Sequence, residues 1–298
     1  ASRLTDLKAR VIGLGLPKTD PTKWICYPKN VEMIYGRLEN FSLVKTVFEK
    51  YEIEIVYHLG AQAIVGEANR NPLPTFQSNI QGTWNVLEAC RLTDSIRAVV
   101  VASSDKAYGT STNLPYQEDF PLNPEYPYDV SKACADFIAQ SYFKTYGLPI
   151  VITRCANIYG PGDLNFTRII HDTIRSVLEG KNHIVRSDGT PERDYLYIDD
   201  VIDLYTLLVE RLEDTKGQVF NVGHNKPIPV FEVVEAIIRL CGRAQLPPDI
   251  QGQGNPHGEI NRQWLDGGKV KGLLGWEPHT SLEEGLQKTI LWYKSILS

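Results

Sequence analysis

Residues 96–104, IRAVVVASS, form an apolar, β-branched run closed by two serines. Such a run reads as a strand buried on both faces, with polar side chains delivered at its carboxyl end. Three further runs share its character: ARVIGLG (9–15), EIVYHLG (54–60) and PIVITRC (149–155). Between them, 42–50, 75–92 and 129–146 repeat apolar residues at intervals of three and four, as crossover helices do. This alternation predicts an α/β fold, a Rossmann-like doubly wound parallel sheet. Such sheets bind ligands beyond the carboxyl ends of their strands, so Ser103 and Ser104 stand where chemistry is expected.

After Cys155 the rhythm loosens. Gly160, Pro161 and Gly162 make a turn, FTRIIHDTIRSVLEG (166–180) reads as a helix, and a Pro/Gly-rich stretch runs from Leu246 to Gly258. We expect one domain over 1–155 and a smaller C-terminal domain over 156–298, interleaved with the first. SLEEGLQKTILWYKSIL (281–297) carries Leu282, Leu286, Ile290 and Trp292 or Tyr293 along one helical stripe, a surface helix closing the chain.

The front of the chain departs from this plan. A dinucleotide-binding sheet normally opens with a strand, a Gly-rich turn and a helix whose amides hold the pyrophosphate. Here residues 1–9, ASRLTDLKA, read as the last turns of that helix and ARVIGLG as the second strand. The first strand and its Gly-rich loop are therefore expected to be missing from this numbering, leaving the first domain incomplete. GLGLPK (13–18) is a poor substitute, because Gly13 falls inside an apolar strand and Pro17 with the polar TDPTK tract follows where a helix should open. Gly15, Leu16 and Pro17 also stand where an acidic residue would hold the adenosine ribose, so the choice between NAD and NADP stays open.

Composition narrows the partners. The 298 residues carry a formal net charge of -5 with no basic run, so no nucleic-acid partner is expected. No stretch reaches the roughly 18 apolar residues of a membrane span, and no signal-peptide pattern opens the chain. Cys26, Cys90, Cys134, Cys155 and Cys241 are scattered, odd in number and never spaced as CxxC, which suits reduced thiols and a soluble cytoplasmic protein. His58, His171, His183, His224, His257 and His279 show no ligand spacing such as HxxxH, so no metal is expected.

The most informative spacing is Tyr128-Asp-Val-Ser-Lys132. Four residues put phenol and ammonium on one face of a helix opening near residue 129. A cation one turn away favours the phenolate and so a base usable at neutral pH. Ser104, at the carboxyl end of its strand, can hydrogen-bond the hydroxyl that such a tyrosine deprotonates. The alternative is an exposed pair on a helix start.

HLGAQ (58–62), SNIQGTWNVLEA (78–89), SSDKAYG (103–109), YPYDVSKACAD (126–136), RCANIYGPGD (154–163) and RDYLYIDD (193–200) follow one another in an order that resembles the extended short-chain dehydrogenase/reductase enzymes acting on nucleotide sugars. The resemblance implies that Ser104, Tyr128 and Lys132 are the catalytic alcohol, tyrosine and lysine. It implies that Gly60, Ala61 and Asn79 line the cofactor with Tyr128 and Lys132, and that Asn157 and Arg193 hold the diphosphate of a nucleotide sugar. NAD is the implied cofactor, with NADP left open, and the two domains become a cofactor-binding and a mainly substrate-binding one. One stretch departs from the family: Gly36-Arg37-Leu38-Glu39-Asn40 replaces its GDxxD-like adenine segment.

Asp105 and Lys106 follow Ser104 directly. The pair resembles that of CDP-glucose 4,6-dehydratases, whereas other nucleotide-sugar 4,6-dehydratases carry Asp-Glu and simple 4-epimerases uncharged residues. Eliminating water from a 4-keto sugar needs a base for the C5 proton and an acid for the departing C6 hydroxyl, and a neighbouring amine and carboxyl can divide that work. Lys106 acts as a base only when neutral, which an ion pair with Asp105 opposes, so the pair can instead fix the loop. The expected activity is NAD-dependent 4,6-dehydration of a CDP-glucose-like substrate. The alternatives are nucleotide-sugar 4-epimerisation and nucleotide-sugar binding without catalysis.

Other residues read more plainly. Asp199 is expected to cap the helix that follows it. Arg193 suits a diphosphate by its fork of donors, with an interdomain salt bridge as the alternative. His58 is expected to pack beneath the cofactor, Cys155 to be a core thiol, and Phe76, Trp84 and Leu87 to be core. In this family two long helices per subunit often form a dimer seam, so the resemblance implies a homodimer through 75–92 and 129–146.

Overall fold

A computed structural model describes residues 1–17, 30–254 and 260–297. Lys18, the TDPTK tract, Cys26 and His257 lie outside the described residues. The described chain forms two compact units: Ala1–Ala107, Pro124–Thr153 and Tyr205–Val219 make the first, and Tyr108–Asn123, Arg154–Leu204 and Phe220–Ser298 the second.

The first unit opens with α1 (Ser2–Asp6), followed by β1 (Val11–Gly15) and β2 (Val31–Tyr35), which pair in parallel from Val11↔Val31 to Gly15↔Tyr35. Then come α2 (Phe41–Lys50), β3 (Ile55–His58), α3 (Val65–Arg70), α4 (Pro72–Phe76), a π-helical turn over Gln77–Gln81, α5 (Gly82–Arg91), β4 (Ala98–Ser104) and α6 (Pro127–Tyr146). β3 and β4 run parallel, and a four-stranded sheet carries the order β10-β5-β4-β3, where β5 is Ile150–Cys155 and β10 is Val219–Val222. β4 is buried along almost its whole length, as its unbroken apolar run requires. Val44, Val47, Phe48, Val86, Leu87, Val99, Val101, Ile150 and Ile152 form its core, with Ile12, Leu14 and Ile34 packed against them. The fold is thus of the expected α/β, parallel-sheet class.

Four details depart from expectation. The helical run at 75–92 is divided, its middle wound as a π-helix between α4 and α5. α6 opens at Pro127 rather than 129, because proline has no N–H to lose at a first helical position. Trp84 is 45% exposed and not core, whereas Leu87 on the same helix is fully buried. β2 was not anticipated, its five residues VEMIY being short and interrupted by Glu32. Gly13 lies in the middle of β1, where a Cβ would run into the Met33 sulfur; it is a strand glycine, not part of a phosphate loop.

In the second unit β6 (Asn157–Tyr159) pairs in parallel with β9 (Tyr195–Tyr197), β7 (Ile184–Val185) with β12 (Asp249–Ile250), and β8 (Glu192–Arg193) lies between β11 (Ile228–Pro229) and β13 (Arg262–Gln263). α7 (Ile169–Leu178), α10 (Val230–Leu240) and α12 (Leu282–Leu297) bury Ile170, Ile174, Val233, Ile237, Leu286, Ile290 and Tyr293 in one cluster. Of the stripe expected on α12, Tyr293 rather than Trp292 is fully buried. α8 spans Ile198–Glu210, α9 Leu212–Thr215 and α11 Gly268–Leu274. Asp199 falls inside the first turn of α8 instead of capping it, where its charge still favours the helix N-terminus. Among the described residues no helix is long and apolar enough to cross a membrane.

Candidate active site

β4 ends in Ser103 and Ser104, both buried, and the chain turns at once into a single 3-10 turn over Asp105–Tyr108. The Ser104 hydroxyl donates to Asp105 Oδ1 at 3.0 Å and accepts the Lys106 backbone N–H at 3.2 Å. Asp105 is 3% exposed, whereas Lys106 is partly open to solvent. Ser103, pointing to the other face of the strand, has a buried hydroxyl without a hydrogen-bond partner.

Tyr128 and Lys132 lie one turn apart in the first turns of α6, both nearly buried. The Lys132 ammonium donates to the Ala102 carbonyl of β4 at 2.8 Å, which ties the start of α6 to the carboxyl end of that strand. The lysine also acts on His58 at the end of β3. Burial, helped by the Lys132 charge, pushes the imidazole down to about 3, so His58 is neutral and packs, as expected, without titrating near neutrality.

Gly60 is exposed and Ala61 half-buried in the loop that leaves β3. Leu16 and Leu59, just beyond the carboxyl ends of β1 and β3, and Tyr35, the last residue of β2, expose 58%, 57% and 50% of their surface. Exposed apolar side chains beside an accessible backbone at that edge fit the rings of a dinucleotide.

Asn79 is 2% exposed, and its amide is engaged by the protein itself. Oδ1 accepts the Gln62 N–H at 2.7 Å, while Nδ2 donates to the Gln62 carbonyl at 3.0 Å and to the Ser131 hydroxyl at 2.9 Å. Ser131 in turn donates to the Tyr128 carbonyl at 2.7 Å. Sequence reasoning assigned no role to Gln62, Thr83 or Ser131, although each lies inside a quoted motif. Only their side-chain partners reveal them.

Asn157 and Arg193 belong to the second unit. Asn157 starts β6 in register with Tyr195. Arg193, on β8, is 8% exposed and donates through Nη1 to the Glu192 and Asn261 carbonyls. Tyr195 and Gln263 were not foreseen. The Tyr195 hydroxyl and both polar atoms of the Gln263 amide are buried without hydrogen-bond partners, and Gln263 lies in register with Arg193. Burial pushes the Tyr195 phenol up to about 12, against the pull of the Arg193 charge. Polar groups left unsatisfied beside a guanidinium suit a polar, anionic ligand. Ser104, Asp105, Lys106, Tyr128, Lys132, Gly60, Ala61 and Asn79 are thus brought together in the first unit, and Asn157 and Arg193 stand in the second.

Comparison with known proteins shows the family to which the chain belongs. The GDP-mannose 4,6 dehydratase family matches residues 18–289. A trifunctional UDP-glucose 4,6-dehydratase/UDP-4-keto-6-deoxy-D-glucose 3,5-epimerase/UDP-4-keto-L-rhamnose-reductase of Arabidopsis thaliana is 33% identical over 89% of the chain, which spans only 40% of that protein's length. A UDP-glucuronate 4-epimerase of Thermodesulfobacterium geofontis is 34% identical over 86% of the chain and 77% of its own. Among solved structures, dTDP-glucose 4,6-dehydratase from Bacillus anthracis in complex with NAD superposes with a TM-score of 0.85 at 28% identity, covering 99% of this chain and 91% of that one. UDP-glucose 4-epimerase from Thermotoga maritima with UDP-glucose gives 0.92 at 25% identity, covering 100% and 94%. The chain belongs to the GDP-mannose 4,6-dehydratase family of nucleotide-sugar dehydratases and epimerases.

Proposed function

We propose that the protein is an NAD-dependent nucleotide-sugar 4,6-dehydratase. One observation carries the reading: Ser104, Asp105 and Lys106 stand consecutively at the carboxyl end of β4, with the serine hydroxyl donated to the Asp105 carboxylate. Gly60, Ala61, Leu16, Tyr35 and Leu59 would hold the dinucleotide, with Tyr128 and Lys132 beside its reactive end. Bound NAD supplies the acceptor for the C4 hydride and the donor that returns it to C6.

The chain's own residues manage the protons. Tyr128 takes the proton of the C4 hydroxyl, and the Lys132 ammonium, held by the Ala102 carbonyl, favours the phenolate that can do so. The 4-keto group acidifies C5, and Lys106 in its neutral form removes that proton. Asp105 in its protonated form gives a proton to the C6 hydroxyl, which departs as water. As C6 regains hydride, Lys106 returns its proton to C5, so the product is a 4-keto-6-deoxy sugar, lighter than the substrate by one water, with no net redox change. Arg193 and Asn157 would hold the diphosphate, and Tyr195 and Gln263 offer further partners.

The Asp105-Lys106 pair favours CDP-glucose, although the relatives carry UDP- and dTDP-sugar names. A homodimer is supported by Trp84 on α5 and Phe137 on α6, which are 45% and 54% exposed, and we place the protein in the cytoplasm. The likeness to 4-epimerases supports a second reading, C4 inversion by the same Ser104, Tyr128 and Lys132. Mass spectrometry after incubation with NAD and CDP-, dTDP- or UDP-glucose separates the two. A product short of one water is expected, most rapidly from CDP-glucose. Conserved mass with an inverted C4 overturns dehydration in favour of epimerisation, and an unchanged sugar overturns both.

A further inference from the structure

Asn79 lies in the π-helical turn between α4 and α5, while Gln62 follows directly on the Gly60–Ala61 loop. π-Turns inserted into helices often accompany functional sites. Here the turn aims the Asn79 amide across two partners: three of its hydrogen bonds reach the Gln62 backbone and the Ser131 hydroxyl, all within 3.0 Å. Ser131 is fully buried. It spends its single proton on the Tyr128 carbonyl, so it meets the amide as an acceptor. On the far side, Thr83 donates to the Asn79 carbonyl at 2.6 Å. The donors and acceptors of this strut are therefore matched in one sense only, and the strut cannot reverse its polarity without losing a bond.

We propose that Ser131 is a positioning residue that, through Asn79, locks the Gly60–Gln62 loop to the first turn of α6. Loop and tyrosine then move as one body. The inference rests on the reading above in one respect, that the loop lines a dinucleotide and Tyr128 handles a proton. Ser131 touches neither ligand; its hydroxyl sets where both are met. Without it, Asn79 keeps Gln62 but loses its hold on α6, so the loop regains freedom that binding must then remove.

The test uses Ser131→Ala, with Ser131→Thr as the conservative variant that keeps the hydroxyl. Amide hydrogen exchange is read first, on the protein without added ligand, at the Gln62 N–H and, as a reference for global unfolding, at Val99 in β4. In Ser131→Ala the Gln62 amide is expected to exchange about tenfold faster or more while Val99 is unchanged, and Ser131→Thr is expected to restore protection. NAD binding is read next by titration calorimetry, with an expected five- to twentyfold loss in Ser131→Ala and recovery in Ser131→Thr. Unchanged Gln62 exchange in Ser131→Ala overturns the proposal, as does acceleration of Gln62 and Val99 together, which marks a general loss of stability. If the parent protein itself does not bind NAD, the dehydratase reading fails, and the exchange measurement still decides whether the strut exists.

Discussion

His58 Nε2 lies 2.8 Å from Thr83 Oγ1, and because the threonine gives its one proton to the Asn79 carbonyl, the histidine must be the donor. The ring is therefore the Nε2–H tautomer, neutral and buried.

That neutrality makes the fold sensitive to acid. His58 falls to about 3 in the folded protein, from an ordinary value of 6.5. For a base with a lowered value, the stabilisation is complete above the unfolded value and is lost as pH falls from 6.5 toward 3. At pH 4 the loss from this one group amounts to about 3 kcal/mol. His58→Gln keeps a side-chain donor for Thr83 and removes the titration. Urea unfolding at pH 7 and pH 4 should show the parent losing more stability on acidification than the variant, and equal losses would place the acid sensitivity elsewhere.

Tyr128→Phe should fold, since the phenol sits at the start of a helix whose other contacts remain. The proton transfer at the C4 hydroxyl should slow by about 10²- to 10⁴-fold. Calorimetric binding of the nucleotide sugar should stay within a few-fold of the parent. A variant that turns over normally would remove Tyr128 from the chemistry.

Asp105 and Lys106 can be separated experimentally. Lys106→Met should abolish exchange of the C5 proton with heavy water while leaving C4 oxidation in place, read as nicotinamide absorbance and by mass spectrometry. Asp105→Asn should instead slow water loss by about 10²-fold or more. It also weakens the acceptor of the Ser104 hydroxyl, so some loss at C4 is expected too. Exchange at C5 unaltered by Lys106→Met would leave the lysine as a loop-fixing group.

The main strands and the candidate site positions were legible because their signals are local: a β-branched run such as 98–104, or a four-residue interval such as Tyr128 to Lys132. What escaped is set by contacts distant in sequence. The Asn79–Ser131 bond spans 52 residues, and no periodicity of SNIQGT reports that its amide turns inward. Trp84 was misread because helical spacing tells which residues share a face, not what covers that face. Tyr195 and Gln263 escaped for a related reason: a polar residue in a short strand gives no sign that it is buried without a partner.

Arg154 and Tyr108 provide a test of the second unit. Arg154 is 3% exposed, donates through Nη1 to the Tyr108 hydroxyl at 2.8 Å and to the Glu118 carbonyl at 3.2 Å, and stacks over the Tyr108 ring at 4.8 Å. Tyr108 passes its own proton to Asn221 Oδ1 at 2.7 Å. Tyr108→Phe keeps the ring and its stacking on Tyr116 but leaves the Asn221 acceptor unpaired and removes one acceptor from Arg154. The expected cost is about 2 kcal/mol in urea unfolding. A loss under about 0.5 kcal/mol would mean that water replaces the hydroxyl there.

Tyr293, fully buried on α12, donates to the Asp163 carbonyl and lies 3.2 Å from His171 Nδ1, so one phenol joins the closing helix to the turn after Gly162 and to α7. The Asp163 carboxylate is held by Arg168 at 2.7 Å and lies 3.2 Å from His171 Nε2. Burial tends to raise its value, but the histidine and arginine outweigh that and bring it to about 2. Stability from this carboxylate is thus present above its ordinary value and lost only as pH falls from about 4 toward 2. Tyr293→Phe should leave that window in place, because the phenol serves the Asp163 backbone and not its carboxylate. It should still lower stability by about 1–3 kcal/mol at every pH, the cost of leaving a part-buried carbonyl unpaired. Asp163→Asn should do the reverse, with a loss large at pH 7 and vanishing near pH 2. Thermal unfolding of the two variants at pH 2, 4 and 7 separates these behaviours, and parallel curves for both would show that the carboxylate and the phenol act as one group.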